Sequence, residues 1–404
     1  MTTSPSEPRA IAADDICIVG AVRTAIGDFG GALKDVPPAE LGTKVAAEAI
    51  RRSGLAADDI QHVVMGQVIQ SEPKDAYIAR MIGVKAGVPV EAPALTLNRL
   101  CGSGVQAIVS AAQTLKLGEA EVALAGGAES MSQSPHVTKG VRWGTKMGAV
   151  TMIDAMLAVL ADPFEDVHMG ITAENVAERW QVTREAQDAL ALEGHRRAAR
   201  AIGEGRFKEQ ILPIEVKTRK GVASFDTDEH VRSDAAAGDF SGLKPVFKKD
   251  GTVTAGNASG INDGAAAVVL ATGRAVAEKG LAPLARILSW GHAGVEPSIM
   301  GIGPVKAVPI ALERAGLTLD DIDVIEANEA FAAQACAVAG ELGFDTEKLN
   351  PNGSGIALGH PVGATGAILT VKAVYELKRT GGRYGLITMC IGGGQGIAMV
   401  VERL

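Results

Sequence analysis

The sequence predicts an α/β protein made of two similar halves. Its 404 residues are 47% hydrophobic, which is enough for more than one core-forming unit. Glycine is abundant, with 49 residues, whereas aromatic residues make up only 3% of the chain. The cores must therefore be built from Ala, Val, Ile and Leu, as in buried parallel sheets that helices cover. An internal repeat indicates the two halves.

The repeat relates residues 49–60 to residues 311–322, at a shift of 262 positions and with seven of the twelve residues identical. Each copy has the pattern of an amphipathic helix that ends at a glycine and is followed by a second helix-start signal. A strand is predicted next, over 62–65 in the first copy and over 324–326 in the second.

Three units along the chain follow from this repeat. The first half covers 14–130 and is completed by about 259–275, and the second half covers 284–404. The stretch 131–258 has no counterpart in the second half, so we interpret it as an inserted loop domain. Corresponding turns of a duplicated fold meet across its pseudo-twofold axis. Residues nearly 290 positions apart are therefore expected to share one cleft.

Two helices are predicted inside the insertion. The first covers 173–180 after Thr172, and the second covers 184 to about 202 after an N-cap at Thr183. Between 207 and 247 the insertion is expected to be rich in loops. It carries 17 Lys and Arg against 18 Asp and Glu on an otherwise acidic protein, a balance compatible with an anionic ligand or with an ordinary solvated surface.

Charge and hydropathy exclude several classes of protein. The net charge of −8 and the absence of a long basic block argue against nucleic-acid binding. No apolar run reaches the roughly 18 residues that a membrane helix needs, and the first fifteen residues show no signal-type apolar stretch. The last three residues are not a peroxisomal address, so a cytoplasmic protein is expected.

The four cysteines form no C-x-x-C pair and have no nearby histidine at ligand spacing, so metal and disulfide interpretations are both weak. Cys17 lies in a strand-like run and Cys336 in a helical one, and both are predicted to lie in the core.

Cys101 is the first candidate for chemistry. It lies where a strand-like run over 94–97 turns into an Ala-rich helix that begins near Val105. Free N–H groups and the positive end of the dipole at a helix N-terminus stabilise a thiolate, and flanking glycines leave room for a substrate. A reactive nucleophile is therefore predicted. The alternative is a buried cysteine in a tight turn.

His360 and Cys390 occupy two further turns of the same kind. Each follows an apolar run and has glycine neighbours, an arrangement that suits an open site better than a packed core. A structural role remains the alternative for either residue alone. Three polar groups on three such turns favour a shared active site.

Four motifs in this order make the sequence resemble the thiolase family over essentially its whole length. They are Asn98 to Gly104 around Cys101, Asn-Glu-Ala-Phe at 328–331, Gly-His-Pro-Val-Gly at 359–363, and Cys-Ile-Gly-Gly-Gly at 390–394. Segments 168–170 and 254–260 are most similar to those of biosynthetic bacterial β-ketothiolases and acetyl-CoA acetyltransferases. The resemblance implies the duplicated thiolase fold, with two βαβαβαββ halves in a layered α/β/α/β/α core, a loop domain that contacts CoA, and a homotetramer.

The reaction implied by the resemblance is a reversible Claisen condensation of two short acyl-CoA molecules to a 3-ketoacyl-CoA and CoA. Cys101 would take the acyl group as a thioester after His360 removes its proton. Cys390 would act as general acid and base. One oxyanion hole would use His360 with a water held by Asn328, and the other the N–H groups of Cys101 and Gly392.

The resemblance also implies a set of substrate contacts. Acetyl-CoA and propionyl-CoA are the expected acyl units, CoA is a substrate rather than a cofactor, and no metal is implied. Arg232 and Ser259 would contact the phosphate and pantetheine ends of CoA, while Leu243 and Phe247 would contact adenine and pantetheine. The remaining expected contacts are His168, Met169, Ala258, Met300 and Phe331. The other five histidines belong to none of the motifs, and surface or structural roles are expected for them.

Two alternatives belong to other functional classes. Residues 102–107 fit the dinucleotide-binding pattern G-x-G-x-x-A between a strand and a helix, which would suit a dehydrogenase. The pattern begins far into the fold, however, and a catalytic cysteine there would crowd a pyrophosphate. A non-catalytic thiolase-like lipid carrier could lose Cys101, His360 or Cys390, whereas all three are present. Ketoacyl synthases are expected to use two histidines where this chain offers Asn328 and one histidine.

Overall fold

The structure, a computed structural model, describes residues 9–404. These residues form one large mixed sheet, three two-stranded sheets and helices on both sides of the large sheet. The strands are β1 (Ile16–Thr24), β2 (Gly27–Asp28), β3 (His62–Gly66), β4 (Ala94–Leu97), β5 (Val122–Ser130), β6 (His136–Thr138), β7 (Met152–Asp154), β8 (Ala161–Asp162), β9 (Val167–His168), β10 (Ile211–Leu212), β11 (Ile214–Thr218), β12 (Gly221–Phe225), β13 (Asn262–Thr272), β14 (Ala285–Gly294), β15 (Val324–Ala327), β16 (Tyr384–Ile391) and β17 (Gln395–Arg403). The helices are α1 (Pro38–Ser53), α2 (Ile78–Lys85), α3 (Ser103–Lys116), α4 (Ala155–Val159), α5 (Met169–Arg179), α6 (Arg184–Gly203), α7 (Ala237–Ser241), α8 (Gly273–Lys279), α9 (Gly303–Ala315), α10 (Ala332–Leu342), α11 (Gly355–Leu358) and α12 (Thr365–Thr380).

The large sheet contains both halves of the predicted duplication. Its strand order is β15-β16-β17-β14-β1-β13-β5-β3-β4, with short strands β10 and β2 added to β1 and β13. A pairing of only three residues between β1 and β14 joins the two parts. Strands β4-β3-β5 in one part and β15-β16 in the other pair in parallel, as does the short strand β10 with β1, and the remaining pairs of the large sheet are antiparallel.

Helices α3 and α12 form the middle layer of the fold. They share one apolar cluster with inward residues of both parts of the sheet, such as Ile18 on β1 and Met399 on β17. Because side chains alternate across a strand, the neighbouring residues Cys17 and Val400 pack instead against the outer helices α1 and α9. The result is the layered α/β/α/β/α arrangement that the family resemblance implied.

The two copies of the repeat adopt the same local structure. Helix α1 ends at Gly54 with φ 78°, and α9 ends at Gly316 with φ 67°. Glycine adopts this left-handed conformation without a steric penalty, which is why it ends helices. A short 3₁₀ turn and a strand follow in both copies, β3 in one and β15 in the other. The predicted helix, stop and strand are confirmed in each.

One predicted helix boundary in the insertion is wrong. Helix α5 begins at Met169 rather than at Ala173, because the side chain of His168 accepts a hydrogen bond from the N–H of Gly170 at 3.0 Å and caps the helix. The expected cap, Thr172, donates its hydroxyl to the carbonyl of Met169 inside the first turn. The second helix is confirmed, with Thr183 as its N-cap.

The region between 207 and 247 contains more regular structure than predicted. It holds the hairpin β11–β12 and the short helix α7 between stretches of loop. The division of the chain at 131–258 stays a proposal. None of the helices within residues 9–404 combines the length and the apolar character that crossing a membrane requires. The prediction that no signal segment opens the chain concerns in part residues 1–8, which lie outside the described residues.

Candidate active site

Cys101 lies one turn before the body of α3, at the end of a strained loop. Leu100 has a positive φ of 47°, which a branched side chain rarely adopts. The conformation is held because its N–H donates to Oδ1 of Asn98 at 2.8 Å and its carbonyl accepts from the hydroxyl of Ser103 at 2.7 Å. Helix α3 begins at Ser103, two residues before the predicted start. The loop presents the thiol of Cys101 half-buried at the wall of a cavity.

The helix N-terminus and burial act on the pKa of Cys101 in opposite directions. The N–H groups of Gly392 and of Cys101 itself donate to its sulfur and favour the thiolate, as a helix N-terminus should. Burial outweighs them and raises the pKa of the thiol to about 11. Cys101 is therefore a neutral thiol at physiological pH, and a neighbouring base has to remove its proton before the sulfur can attack a substrate.

Gly392 lies in close contact with the side chains around Cys101. A Cβ at this position would lie 2.8 Å from Cε of Met169 and 3.1 Å from Cδ1 of Leu100, so a larger residue here would displace these two side chains. The predicted pairing of the N–H groups of Gly392 and Cys101 is thus geometrically available.

His360 is held in one tautomer by its surroundings. The hydroxyl of Thr365 donates to the carbonyl of Pro361 at 2.9 Å, so its oxygen accepts from Nδ1–H of His360 at 2.7 Å. Nε2 is then the unprotonated nitrogen, and Nδ2 of Asn328 faces it at 3.3 Å. Burial lowers the pKa of His360 to about 4. The ring is neutral at physiological pH and presents a basic nitrogen.

Thr365→Val is expected to lower the rate of Cys101 acylation by about 10–10²-fold, because the imidazole loses the partner that fixes its tautomer. In the unaltered protein the acylation rate should fall only as the pH drops towards 4, since acid removes the base by protonating it and burial has lowered its pKa to about that value. Rapid-quench mass spectrometry of the acyl adduct between pH 4 and pH 8 measures both effects.

Thr370→Val is the matched control for that experiment. Thr370 is equally buried on α12, but its hydroxyl donates only to the carbonyl of Gly366 in the same helix. Equal losses in the two variants would show that Thr365 acts through helix stability and not through His360.

Cys390 lies near the end of β16 and has no exposed surface. It packs in an apolar cluster with Met169, Met300 and Phe331. Burial raises the pKa of its thiol well above the ordinary value, and the proximity of Cys101 raises it further. The two thiols, 289 positions apart in the chain, therefore meet in one site, as the repeat predicted.

A small cavity of about 60 Å³ surrounds the thiol of Cys101. Most residues around it are apolar, including Val68 and Leu160. Seven of the residues predicted for the site line it, namely Cys101, Met169, Ser259, Met300, Phe331, His360 and Gly392.

A larger cavity of about 480 Å³ opens from the same place towards the surface. Ser259, Phe331 and His360 line both cavities, so the two are adjoining parts of one cleft. The ring of Phe247 stacks on His168 with centroids 4.6 Å apart and meets Phe331 edge-on at 6.2 Å. Together with Ala258, these side chains form a channel wall from the surface to the thiol.

Two predicted contacts lie away from this cleft. Arg232 is exposed and lines neither cavity. Its backbone N–H donates to Nδ1 of His195 at 3.1 Å. Leu243 packs beside Gly256, and its carbonyl accepts from Arg184. Any role of Arg232 and Leu243 is restricted to the part of a ligand that extends beyond the cleft.

The structure adds polar residues that sequence reasoning missed. Asn262 accepts the N–H of His360 at 2.8 Å, and Glu129 accepts the N–H of Gly363 at 2.9 Å. His230, expected to have no part in the site, lines the outer cavity and pairs with Asp28 at 2.5 Å. The sequence feature that could have indicated Asn262 and Glu129 is a polar residue at the end of an otherwise apolar strand. Within residues 9–404, no group of three or more His, Cys, Asp or Glu side chains is placed to hold a metal ion.

The comparisons with known proteins agree with this geometry. The model of the thiolase N-terminal domain matches residues 16–274, and that of the thiolase C-terminal domain matches residues 281–403. The chain therefore belongs to the thiolase family, and it is an acyltransferase enzyme. The predicted family, fold and class of enzyme are confirmed, and the dehydrogenase alternative is set aside.

Individual relatives cover almost the whole chain. Beta-ketothiolase BktB from Cupriavidus necator is 61% identical over 96% of this chain and 99% of its own length. The crystal structure of acetyl-CoA acetyltransferase from Bacillus anthracis is 48% identical with a TM-score of 0.95, over 98% of this chain and all of that one. Human mitochondrial 3-ketoacyl-CoA thiolase in complex with CoA is 44% identical with a TM-score of 0.94, over 98% of this chain and all of that one.

Proposed function

We propose that this thiolase condenses two short acyl-CoA molecules to a 3-ketoacyl-CoA and CoA, and runs the reverse thiolysis, through an acyl thioester on Cys101. The observation that carries the proposal is the cavity in which the thiol of Cys101, the imidazole of His360 and the N–H of Gly392 converge. The names of the relatives, β-ketothiolase and acetyl-CoA acetyltransferase, support it.

In the first half-reaction Nε2 of His360 takes the proton of Cys101, and the sulfur attacks the thioester carbonyl of acyl-CoA. A neutral thiol and a neutral imidazole suit this step, since both charges appear only as the reaction proceeds. The N–H groups of Cys101 and Gly392 stabilise the negative carbonyl oxygen. The bond between the carbonyl carbon and the CoA sulfur then breaks, and CoA leaves as a thiolate.

Cys390 links the two half-reactions. Because burial raises the pKa of its thiol so far, Cys390 cannot act as a base from its resting state. It first gives its proton to the departing CoA thiolate, and it is then a strong base in an apolar site. The Cys390 thiolate removes an α-proton from a second acyl-CoA, which restores the Cys390 thiol. The resulting carbanion attacks the Cys101 thioester and expels the Cys101 thiolate, which takes its proton back from His360.

The second oxyanion hole is assigned to His360 and Asn328. Nδ2 of Asn328 faces His360, and Oδ1 of Asn328 is buried with no hydrogen-bond partner among residues 9–404. A buried amide oxygen without a partner is uncommon, and it is available to a water or substrate group at this point. This supports the expected pair of His360 and an Asn328-bound water.

CoA is assigned to the larger cavity. Its volume of about 480 Å³ leaves room for the pantetheine arm, with Phe247, Phe331 and Ser259 along the wall and His168 stacked on Phe247. Arg232 and Leu243 are kept for the phosphate and adenine end outside the cavity. Coenzyme A is a substrate and product here, and the proposed steps use no other cofactor.

The size of the inner cavity favours short acyl groups. At about 60 Å³ it is far smaller than the adjoining outer cavity of about 480 Å³, so it has room for a small acyl group only. We expect kcat/KM for acetoacetyl-CoA and 3-ketovaleryl-CoA to exceed that for a ten-carbon 3-ketoacyl-CoA by about 10²-fold or more. Thiolysis rates of the purified enzyme on a ladder of chain lengths measure this. A rate that peaks at ten or more carbons would contradict it.

We also propose that the protein is a cytoplasmic homotetramer. The hairpin β6–β7 and the segments around it expose large apolar side chains, with Trp143 at 88% and Met147 at 92% exposure, and an isolated protein rarely leaves such a stretch in water. A second copy of the chain would cover it. The reactive thiol needs a reducing compartment, as the cytoplasm provides. Light scattering on the purified protein gives the mass that tests the assembly.

A further inference from the structure

Glu129 is a fully buried carboxyl next to the last residue of β5. Its hydrogen bonds all come from backbone N–H groups. Oε2 accepts from Val68 and from Gly363, both at 2.9 Å, and Oε1 accepts from Ile69 at 3.2 Å. A single carboxyl group therefore joins the loop after β3 to the loop that follows His360.

Both of these loops form the reaction cavity. Val68 from the first and Val362 from the second line the space around Cys101. Gly363 could not be any other residue in this contact, because a Cβ there would lie 2.5 Å from Oε2 of Glu129 and 3.0 Å from the Cα of Gln67. The close approach lets Glu129 determine where the loop of His360 lies.

The other end of the His360 loop is tied down in a similar way. The N–H of His360 donates to Oδ1 of Asn262, which lies on β13, and β13 pairs with β5. The short loop from His360 to Gly363 is thus hydrogen-bonded at both ends to buried polar side chains of neighbouring strands, Asn262 on β13 and Glu129 on β5. Glu129 is the only one of the two that can carry a charge.

The charge of Glu129 acts on Cys101. Its negative charge raises the pKa of that thiol, in addition to the larger effect of burial. The other titratable groups on the elements around Glu129 are Asp75, Asp263 and His360. Burial, with a smaller effect from Asp75, raises the pKa of Glu129 itself to about 8. Glu129 is therefore ionised over the alkaline range in which Cys101, with a pKa of about 11, loses its proton.

We propose that Glu129 is a positioning residue of the reaction, which holds the His360 loop and the Val68 wall against Cys101. The inference rests on the proposed roles of Cys101 and His360. Two effects of this side chain can be tested separately. The clamp is its hold on the two loops and depends on its length, and the field is the effect of its charge on the Cys101 thiol.

Two variants separate the clamp from the field. Glu129→Gln removes the charge at nearly constant shape, and we expect the midpoint of the pH profile for Cys101 alkylation by iodoacetamide to fall by about 1 pH unit. Glu129→Asp keeps the charge but shortens the reach to the two loops. Its alkylation midpoint should stay near that of the unaltered protein while kcat for condensation falls by about 10–10²-fold. Peptide mass spectrometry assigns the alkylated cysteine, and thermal melting shows that each variant is folded.

Glu174→Gln is the matched control. Glu174 is also buried and accepts backbone N–H groups, those of Thr252 and Val253, but it does not act on Cys101. Its alkylation midpoint should not move. An unchanged alkylation midpoint in folded Glu129→Gln would refute the proposed effect of the charge. An unchanged kcat in Glu129→Asp would refute the proposed hold on the loops, and this second test does not depend on whether Glu129→Gln folds. Alkylation needs no acyl-CoA, so failure of the proposed function would show separately, as the absence of an acetyl adduct on the unaltered protein.

Discussion

Cys101→Ala is expected to abolish acyl transfer, with kcat lowered by at least ~10⁴-fold, because no other group in the cavity can form the thioester. Burial raises the pKa of the Cys390 thiol well above the ordinary value, so Cys390 is a poor replacement as nucleophile. CoA binding should be nearly unchanged, since the walls of the larger cavity come from other residues. Thiolysis kinetics measure the first effect, and calorimetric titration with CoA measures the second.

An adduct experiment locates the nucleophile directly. Brief exposure of the unaltered protein to acetyl-CoA should add one acetyl group on the peptide that contains Cys101. Cys336→Ala is the control variant, and it should leave the adduct in place. The prediction that Cys336 lies in the core is wrong, since it is only half-buried on α10. An acetyl group on Cys336 or Cys17 would refute the assignment of Cys101.

Replacement of Cys390 by Ala or Ser is expected to slow condensation by about 10²–10⁴-fold, the range for the loss of a general acid and base. Cys101 should still acquire an acetyl group from acetyl-CoA, at a reduced rate, since its own proton goes to His360. The variant should lose the exchange of acetyl-CoA α-protons with deuterated solvent, a step that needs a base beside that carbon but no completed condensation.

The exchange experiment distinguishes Cys390 from His360. Both groups lie in the site, but burial changes their strength as bases in opposite directions. It raises the pKa of the Cys390 thiol and lowers that of the His360 imidazole. A thiolate at Cys390 is therefore the stronger base for a carbon acid. If exchange continued at the normal rate without Cys390, the base would have to be His360, and the proposed division of labour would be wrong.

Local patterns were enough to predict much of the fold. The repeat at 49–60 and 311–322 gave the helices, their glycine stops and the following strands, because these depend on residues a few positions apart. The glycine-rich turns at Cys101, His360 and Cys390 pointed to these three groups for the same reason. The start of α5 was missed because His168, an unusual N-cap, took the role expected of Thr172.

The protonation of the site depended on contacts that no local pattern contains. The N-terminal position of Cys101 on α3 favours a thiolate, yet burial among residues from both halves raises its pKa to about 11. The N–H of Gly392 and the charge of Glu129 act on the same sulfur across the fold.

The sequence by itself determined the duplicated fold and the turns that present the side chains proposed to carry the chemistry. Only the tertiary structure decided that Arg232 and Leu243 lie outside the cleft, that Thr365 fixes the tautomer of His360, and that Glu129 joins the two loops of the cavity. The physical reason is that helix stops and turns are local in the chain, whereas desolvation and hydrogen bonding depend on the distance between groups in space, which the packing of the two halves sets.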